Sequence, residues 1–215
     1  MFILNETNSI ANHLLADLRD VEVQNDREKF RNNLFKLGQI LAYEISKSLE
    51  FKTQQIQTPI AETSTKISKD NIVIISILRA AEPFANGFLS FLTQAEVGFV
   101  GVSRRGHLKE EIEADLGYVA CPNLEGKVLI VVDPMLATGK SLVESLQALK
   151  SYGKPKQVHL ASVIASPEGV KYLKQNIAPD CNLWTCALDK ELNEKGYIVP
   201  GLGDAGDLSF GQKVD

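Results

Sequence analysis

Cysteine is scarce in this sequence. Cys121, Cys181 and Cys186 are the only three in 215 residues. An odd count without close metal-ligand spacing fits reduced thiols of a cytoplasmic protein, buried as small apolar residues. No apolar run approaches the roughly 20 residues of a membrane span. The start, Met1 to Asn5, lacks the basic region and long apolar core of a signal peptide. Basic blocks are missing too: Lys plus Arg number 23 against 27 Asp plus Glu, a formal charge of −4. The chain is therefore expected to be a dedicated binder of neither nucleic acid nor membrane. No stretch is long, polar and monotonous, which excludes disordered and coiled-coil classes. What is present, 44% hydrophobic and 23% charged residues, has room for one globular domain with a sizeable core.

Local patterning divides the chain. Ile10, Leu14 and Leu18 fall at helical spacing, with Asn8 or Ser9 as a cap. Phe30, Leu34, Leu37, Leu41 and Ile45 form the stripe of a longer helix, for which Asn25 and Glu28 offer a loose capping box. Neither helix carries evident chemistry, so both are expected to pack or to face another subunit. Phe51 to Ser68, rich in Gln, Thr and Lys and interrupted by Pro59, reads as a partly exposed hairpin. Continuous β-branched runs follow at Ile72–Leu78, Val97–Val102, Val128–Val132 and Val158–Ile164. Such runs suit strands buried on both faces of a parallel sheet. Helical segments at Pro83–Leu92, Lys140–Leu149 and Pro167–Gln175 separate them, two with proline in the first turn. The alternation predicts an α/β fold, an open and mainly parallel sheet flanked by helices, with N-terminal helices and a C-terminal hood added. Cys181–Leu188 reads as a further strand. The tail from Gly196 to Gly211 is rich in glycine and poor in apolar residues, either loose or a shaped ligand loop.

The most informative stretch is Lys127-Val-Leu-Ile-Val-Val-Asp-Pro-Met-Leu-Ala-Thr-Gly-Lys-Ser141. A buried strand ends at Asp133 and a helix begins near Ser141. Ligands of open α/β sheets sit outside the carboxyl ends of strands, where this loop lies. The small residues Ala137, Thr138 and Gly139 let backbone N–H groups close on phosphate oxygens. The helix N-terminus and the hydroxyls of Thr138 and Ser141 add to the attraction. Asp133 repels phosphate, so it must meet hydrogen-bond donors such as ribose hydroxyls or metal-bound water. A Walker loop is excluded, because Pro134 stands where that motif requires its first glycine.

This stretch resembles the phosphoribosyl-diphosphate loop of type I phosphoribosyltransferases, and in detail that of uracil phosphoribosyltransferases, Asp-Pro-Met-Leu-Ala-Thr-Gly-Gly-Ser. Ile77-Leu78-Arg79-Ala80-Ala81 is similar to the family's Ile-Leu-Arg-Ala-Gly. Ala165-Ser166-Pro167-Glu168-Gly169 resembles its Ala-Ala-Pro-Glu-Gly turn. Gly196 to Asp207, ending near Phe210 and Gly211, resembles its uracil-binding hood. Order and spacing agree over essentially the whole chain.

The resemblance implies transfer of the phosphoribosyl group of 5-phospho-α-D-ribose 1-diphosphate (PRPP) to N1 of uracil. The products would be UMP and diphosphate, with Mg²⁺ as cofactor, in pyrimidine salvage. It implies that Asp133 holds the ribose hydroxyls, and that Ala137, Thr138, Gly139, Lys140 and Ser141 cradle the 5-phosphate. Pro134, Met135 and Leu136 complete the PRPP loop. Arg79 and Arg104 would contact the diphosphate, and Asp204 would serve the PRPP site, so these three are the expected catalytic residues. Ile198, Gly203, Asp204 and Ala205 would read uracil, mainly through the backbone. No metal ligand is assigned. One phosphoribosyltransferase domain is expected over residues 1–215, with N-terminal helices over 1–50, an α/β core over 70–190 and the hood over 191–215. A homodimer or higher homo-oligomer is expected as well. His13, His107 and His159 lie far apart and suit no catalytic set.

Departures from the family pattern cluster near the diphosphate. Ala81 replaces glycine, Ser76 replaces proline, and Ser103 replaces tyrosine. Arg105-Gly106-His107 replaces an acidic run, and Lys140 replaces glycine. Two other readings share these motifs: a transferase of altered base choice, and a non-catalytic nucleotide-binding regulator.

Overall fold

The structure, a computed structural model, describes residues 1–105, 113–177 and 181–213, with the side chains of 103–105 and 113–115 outside that description. The strands are β1 (Phe2–Ile3), β2 (Phe51–Gln57), β3 (Glu62–Ser68), β4 (Ile72–Leu78), β5 (Glu96–Arg105) and β6 (Glu113–Ala120). They continue with β7 (Val128–Val132), β8 (Met135–Leu136), β9 (Gln157–Ala165), β10 (Cys181–Leu188), β11 (Glu191–Leu192) and β12 (Ile198–Val199). The helices are α1 (Ala11–Arg19), α2 (Arg27–Ser46), α3 (Glu82–Phe91), α4 (Lys140–Leu149), α5 (Pro167–Asn176) and α6 (Ala205–Phe210).

The central sheet runs β1-β10-β9-β7-β4-β5-β6, with β8 alongside β9. All its pairings are parallel except β5 with β6. The β-branched runs explain this placement, because each strand feeds two apolar layers. Ile72 and Ile74 of β4, with Val128, Ile130 and Val132 of β7, join the layer containing α1, α2 and α3. Val73, Ile75 and Ile77, with Leu129 and Val131, join the layer of α4 and α5. A strand that is apolar on both sides has no solvated face and must lie inside a helix–sheet–helix sandwich.

The α2 stripe of Phe30, Leu34, Leu37, Leu41 and Ile45 is buried throughout. Against it, α3 packs backbone to backbone. A Cβ on Gly38 would lie 2.2 Å from the Phe84 carbonyl oxygen, and one on Gly87 would lie 2.1 Å from that of Phe35. Only glycine at both positions permits this approach. The β2–β3 hairpin stands apart as its own two-stranded sheet, with nearly every residue exposed. Its tip residue Ile60 is 95% exposed.

Helix starts differ from the sequence reading. α2 is capped by Asp26, whose carboxylate accepts from the Lys29 N–H, rather than by Asn25. In α1 the buried residues are Ala11, Leu15 and Leu18, while Ile10 is exposed. The buried stripe thus runs through Ala11, Leu15 and Leu18, rotated from the expected one. Both edge strands of the sheet lack a long apolar run and differ from the sequence reading, which places no strand there. Phe2 and Ile3 add a parallel edge strand to β10, with Phe2 against Trp184, ring centroids 5.2 Å apart. β6 adds the antiparallel edge.

Candidate active site

The carboxyl ends of adjacent strands bring the expected residues to one sheet edge. β7 ends at Val132 and β4 at Leu78, with Ser76 opposite Val132 in register. Asp133 and Arg79 therefore leave neighbouring strands side by side. Asp133 is buried, and its carboxylate accepts from the Met135 N–H at 3.2 Å. Beyond it β8 continues alongside β9 in the direction of β7, with Met135 opposite Ile164 and Leu136 opposite Ala165. Asp133, Met135, Leu136, Ala137, Thr138, Gly139, Ser141 and Leu142 line a small open hollow.

The hollow sits on the N-terminus of α4. Its cap, Gly139, has φ +79° and offers no side-chain hydrogen bond, whereas Ser166 and Asp204 cap α5 and α6. The Lys140 N–H at the start of α4 reaches Thr138 Oγ1 only at 3.4 Å, so this helix N-terminus suits an anion by dipole and by donor supply. The left-handed φ falls on Gly139, and Lys140 is the first residue of the helix. The lysine is therefore compatible with the loop's backbone. From outside, α5 supports the loop. Ser166 Oγ donates to the Ala137 carbonyl at 2.6 Å and accepts from the Gly169 N–H at 2.9 Å. A Cβ on Gly169 would lie 2.3 Å from the Ala137 oxygen. The Ser-Pro-Glu-Gly turn is thus a backbone-close brace for the phosphate loop.

Arg79 follows β4 directly. Its Nη2 donates to Asp207 Oδ1 at 3.1 Å and to the Gly211 carbonyl at 3.4 Å, while its Nε is buried with no acceptor. A buried guanidinium N–H without a partner costs free energy unless a ligand supplies one. Asp204 caps α6, accepting from the Gly206 and Asp207 N–H groups at 2.9 and 3.0 Å. Gly206 lies between Asp204 and Arg79. A Cβ there would be 3.2 Å from the Asp204 carboxylate and 3.9 Å from the Arg79 guanidinium. Ile198 and Ala205 are buried, and Gly203, at φ +90°, is exposed. Pro134 accepts the Val163 and Ile164 N–H groups, which fastens the loop to β9. Arg104 lies in β5 opposite Ala114; its side chain, and Gly106 and His107, are outside the described residues.

Two arginines went unnoticed in the sequence. Arg19, at the end of α1, forks onto Asp189 and reaches the Gly201 carbonyl at 2.9 Å. Arg31 of α2 donates to the Ser209 carbonyl at 2.7 Å. The N-terminal helices, expected to pack or to face another subunit, thus hold the C-terminal hood. No periodicity marks these contacts, because an arginine on an amphipathic helix reads as ordinary solvated surface. The two described histidines form no set: His13 is exposed, and His159 is buried in the sheet, accepting from Trp184 Nε1 at 3.0 Å. Burial lowers the His159 pKa to about 4, so it stays neutral. Among the described residues no group of three or more His, Cys, Asp or Glu could by itself hold a metal ion. No helix among them is long and apolar enough to cross a membrane.

Comparison with known proteins agrees with this geometry. The family model described as uracil phosphoribosyltransferase matches residues 5–212. A uracil phosphoribosyltransferase of Porphyromonas gingivalis is 40% identical over 211 residues, 98% of each chain. One of Pyrococcus furiosus is 42% identical over 204 residues, 94% of this chain and 86% of the relative. The solved structure of the AQ2163 protein from Aquifex aeolicus superposes with a TM-score of 0.86 at 32% identity, over 97% of this chain and 98% of that one. Likeness of this length and depth settles the matter of ancestry: the chain belongs to the uracil phosphoribosyltransferase family.

Proposed function

We propose that this chain forms UMP and diphosphate from uracil and PRPP, with the residues of the sheet edge in the roles their positions suit. The observation that carries this reading is the hollow over the α4 N-terminus, lined by Asp133, with the unsatisfied Nε of Arg79 just past the end of the neighbouring strand. The loop from Pro134 through Ser141 binds the 5-phosphate through backbone N–H groups and the hydroxyls of Thr138 and Ser141. Asp133 accepts from the ribose hydroxyls and fixes the sugar. Arg79, joined by Arg104, neutralises the diphosphate. Ile198, Gly203 and Ala205 present backbone groups to the uracil edge, and Asp204 holds the α6 turn at the PRPP site. With both substrates fixed, N1 of uracil bonds to the anomeric carbon as that carbon's bond to the diphosphate oxygen breaks, and the N1 proton leaves to water or to the departing diphosphate. Orientation and charge stabilisation carry the rate.

Mg²⁺ fits this donor set as an ion bound chiefly by substrate oxygens and water, since Mg²⁺ commonly takes only one or two protein carboxylates. It would add positive charge beside the leaving diphosphate, with Asp133 the carboxylate nearest the ribose. The chain acts as one domain, and the exposed β2–β3 hairpin supports assembly with a second copy; light scattering that returns a monomer at working concentration would contradict this.

A panel of free bases offered with PRPP tests the function. Cytosine replaces one uracil acceptor with a donor, leaving a buried polar group unpaired at about 1–3 kcal/mol, roughly tenfold to a hundredfold in kcat/KM. Equal turnover of cytosine and uracil would refute the base assignment. Absence of UMP formation would favour the regulator reading.

A further inference from the structure

The geometry points to Arg19 and Asp189 as a positioning pair that sets the base-reading loop of the hood, an inference that rests on the reading of that loop proposed above. β10 leaves the sheet at Leu188, and the next residue, Asp189, donates its N–H to the Ala165 carbonyl at 2.8 Å, at the end of β9. From there the chain forms the β11–β12 ribbon, Glu191–Leu192 antiparallel to Ile198–Val199. Gly201 lies two residues beyond the ribbon. Asp189 Oδ2 accepts from the Gly201 N–H at 2.9 Å. Arg19 Nη1 donates to the Gly201 carbonyl at 2.9 Å. The two side chains are joined by a bidentate ion pair, 2.9 and 2.7 Å. Both backbone polar groups of one glycine are thus fixed by one buried carboxylate and one guanidinium, at the place where the ribbon hands over to Gly203 and Ala205.

Gly201 is where outside control is most needed. Its φ is +67°, and a Cβ there would lie 2.1 Å from the Ile198 carbonyl oxygen. The turn is therefore closed to other residues, while glycine itself has more conformational freedom than any other. A loop that reads a base through its backbone cannot correct its aim with rotamers. Its hydrogen-bond pattern points wherever its anchors point it. The Asp189 side chain is 5% exposed, so removing the guanidinium leaves a buried carboxylate with the Gly201 N–H and no cation. Such a group draws water or moves, and the loop moves with it.

The test compares Arg19→Met, Arg19→Lys and Asp189→Asn with wild type and with Val73→Ala, a core variant at the opposite end of β4. Two readouts are taken. Steady-state kinetics should show uracil KM raised at least about tenfold in Arg19→Met and Asp189→Asn, with PRPP KM within about threefold of wild type. The ratio of kcat/KM for uracil over cytosine should fall by about tenfold or more, and Arg19→Lys, which keeps the charge but not the fork, should fall between. Hydrogen exchange of residues 198–203 should quicken in the same order. Val73→Ala should lose thermal stability and keep wild-type KM, base ratio and loop exchange. If Arg19→Met matches Val73→Ala in all three, the pair is structural only and the inference fails. If wild type makes no UMP from uracil, the function reading fails, and loop exchange in the variants still decides whether the pair holds the loop.

Discussion

Replacing Gly169 by alanine is expected to harm substrate use far more than stability. Gly169 sits in the first turn of α5 with ordinary helical φ, so the added methyl meets no backbone penalty of its own. In a helix, alanine gains about 1 kcal/mol over glycine. The cost comes from the neighbours. The new Cβ would lie 2.3 Å from the Ala137 carbonyl oxygen and 2.9 Å from that of Leu136, both backbone atoms of the phosphate loop. To reach ordinary contact near 3.4 Å, the Ala137 carbonyl must withdraw by about 1 Å, as for any overpacked contact. Overpacking of this kind costs about 1–3 kcal/mol, so the net loss is about 0–2 kcal/mol, a few degrees in Tm for a chain this long. Function is more sensitive, because a displacement of about 1 Å in a substrate-positioning group can cost about a hundredfold. PRPP-dependent UMP formation, measured against PRPP concentration, should therefore show kcat/KM down by about a hundredfold. Ser166→Ala, which removes a bond to Ala137 and the α5 cap but adds no bulk, should lose more stability than loop geometry. A folded Gly169→Ala protein with wild-type PRPP kinetics would refute the argument that α5 sets the loop.

Two further outcomes follow from residues already described. Lys140→Gly should keep most activity, with PRPP affinity lower by about tenfold or less, because the backbone N–H at position 140 remains and one charge near a phosphate is worth about 1 kcal/mol; collapse of activity would make the ammonium an essential ligand. Asp70 tests acid sensitivity. Burial raises its pKa, but the hydrogen bonds from Lys156 and the Glu50 N–H and the charges of Lys156 and Lys69 outweigh that, and it lies below the usual range. A depressed folded pKa gives stability that is present above the unfolded value of about 4 and lost as pH falls through the folded value. Asp70→Asn should thus lower urea stability by about 1–2 kcal/mol at pH 7. Its deficit should shrink toward pH 3; a deficit unchanged across that range would refute the linkage.

The sequence exposed those parts of the fold that rest on long chemical runs. Ile72–Leu78, Val128–Val132 and Cys181–Leu188 coincide with β4, β7 and β10, and Lys140–Leu149 with α4, because two-sided burial and amphipathic periodicity leave a mark in composition. β1 has two residues and β6 mixes Glu, Asp, Gly and Tyr, so each is a strand by virtue of the edge it meets. The loop from Asp133 to Ser141 stood out because small residues, a proline and a carboxylate share one strand-to-helix connection. The arginine contacts of α1 and α2 were not. Arg19 meets Asp189 across 170 positions of chain, and nothing local requires either residue. The same holds for Asp207 beside Arg79, where the hood's own acid meets the cation expected on the diphosphate.

The glycine contact between α2 and α3 acts as a spacer of fixed length. α3 begins at Glu82, just after Arg79, and α2 carries Arg31, which grips the Ser209 carbonyl. The interval between the phosphate side of the site and its base side is therefore gauged by main chain lying on main chain, with no side chain between. Rotamer changes cannot lengthen such a gauge, and neither glycine can be exchanged without prising the helices apart. Exchange of either glycine should therefore shift Arg31, and the hood segment it grips, relative to the strand end at Arg79.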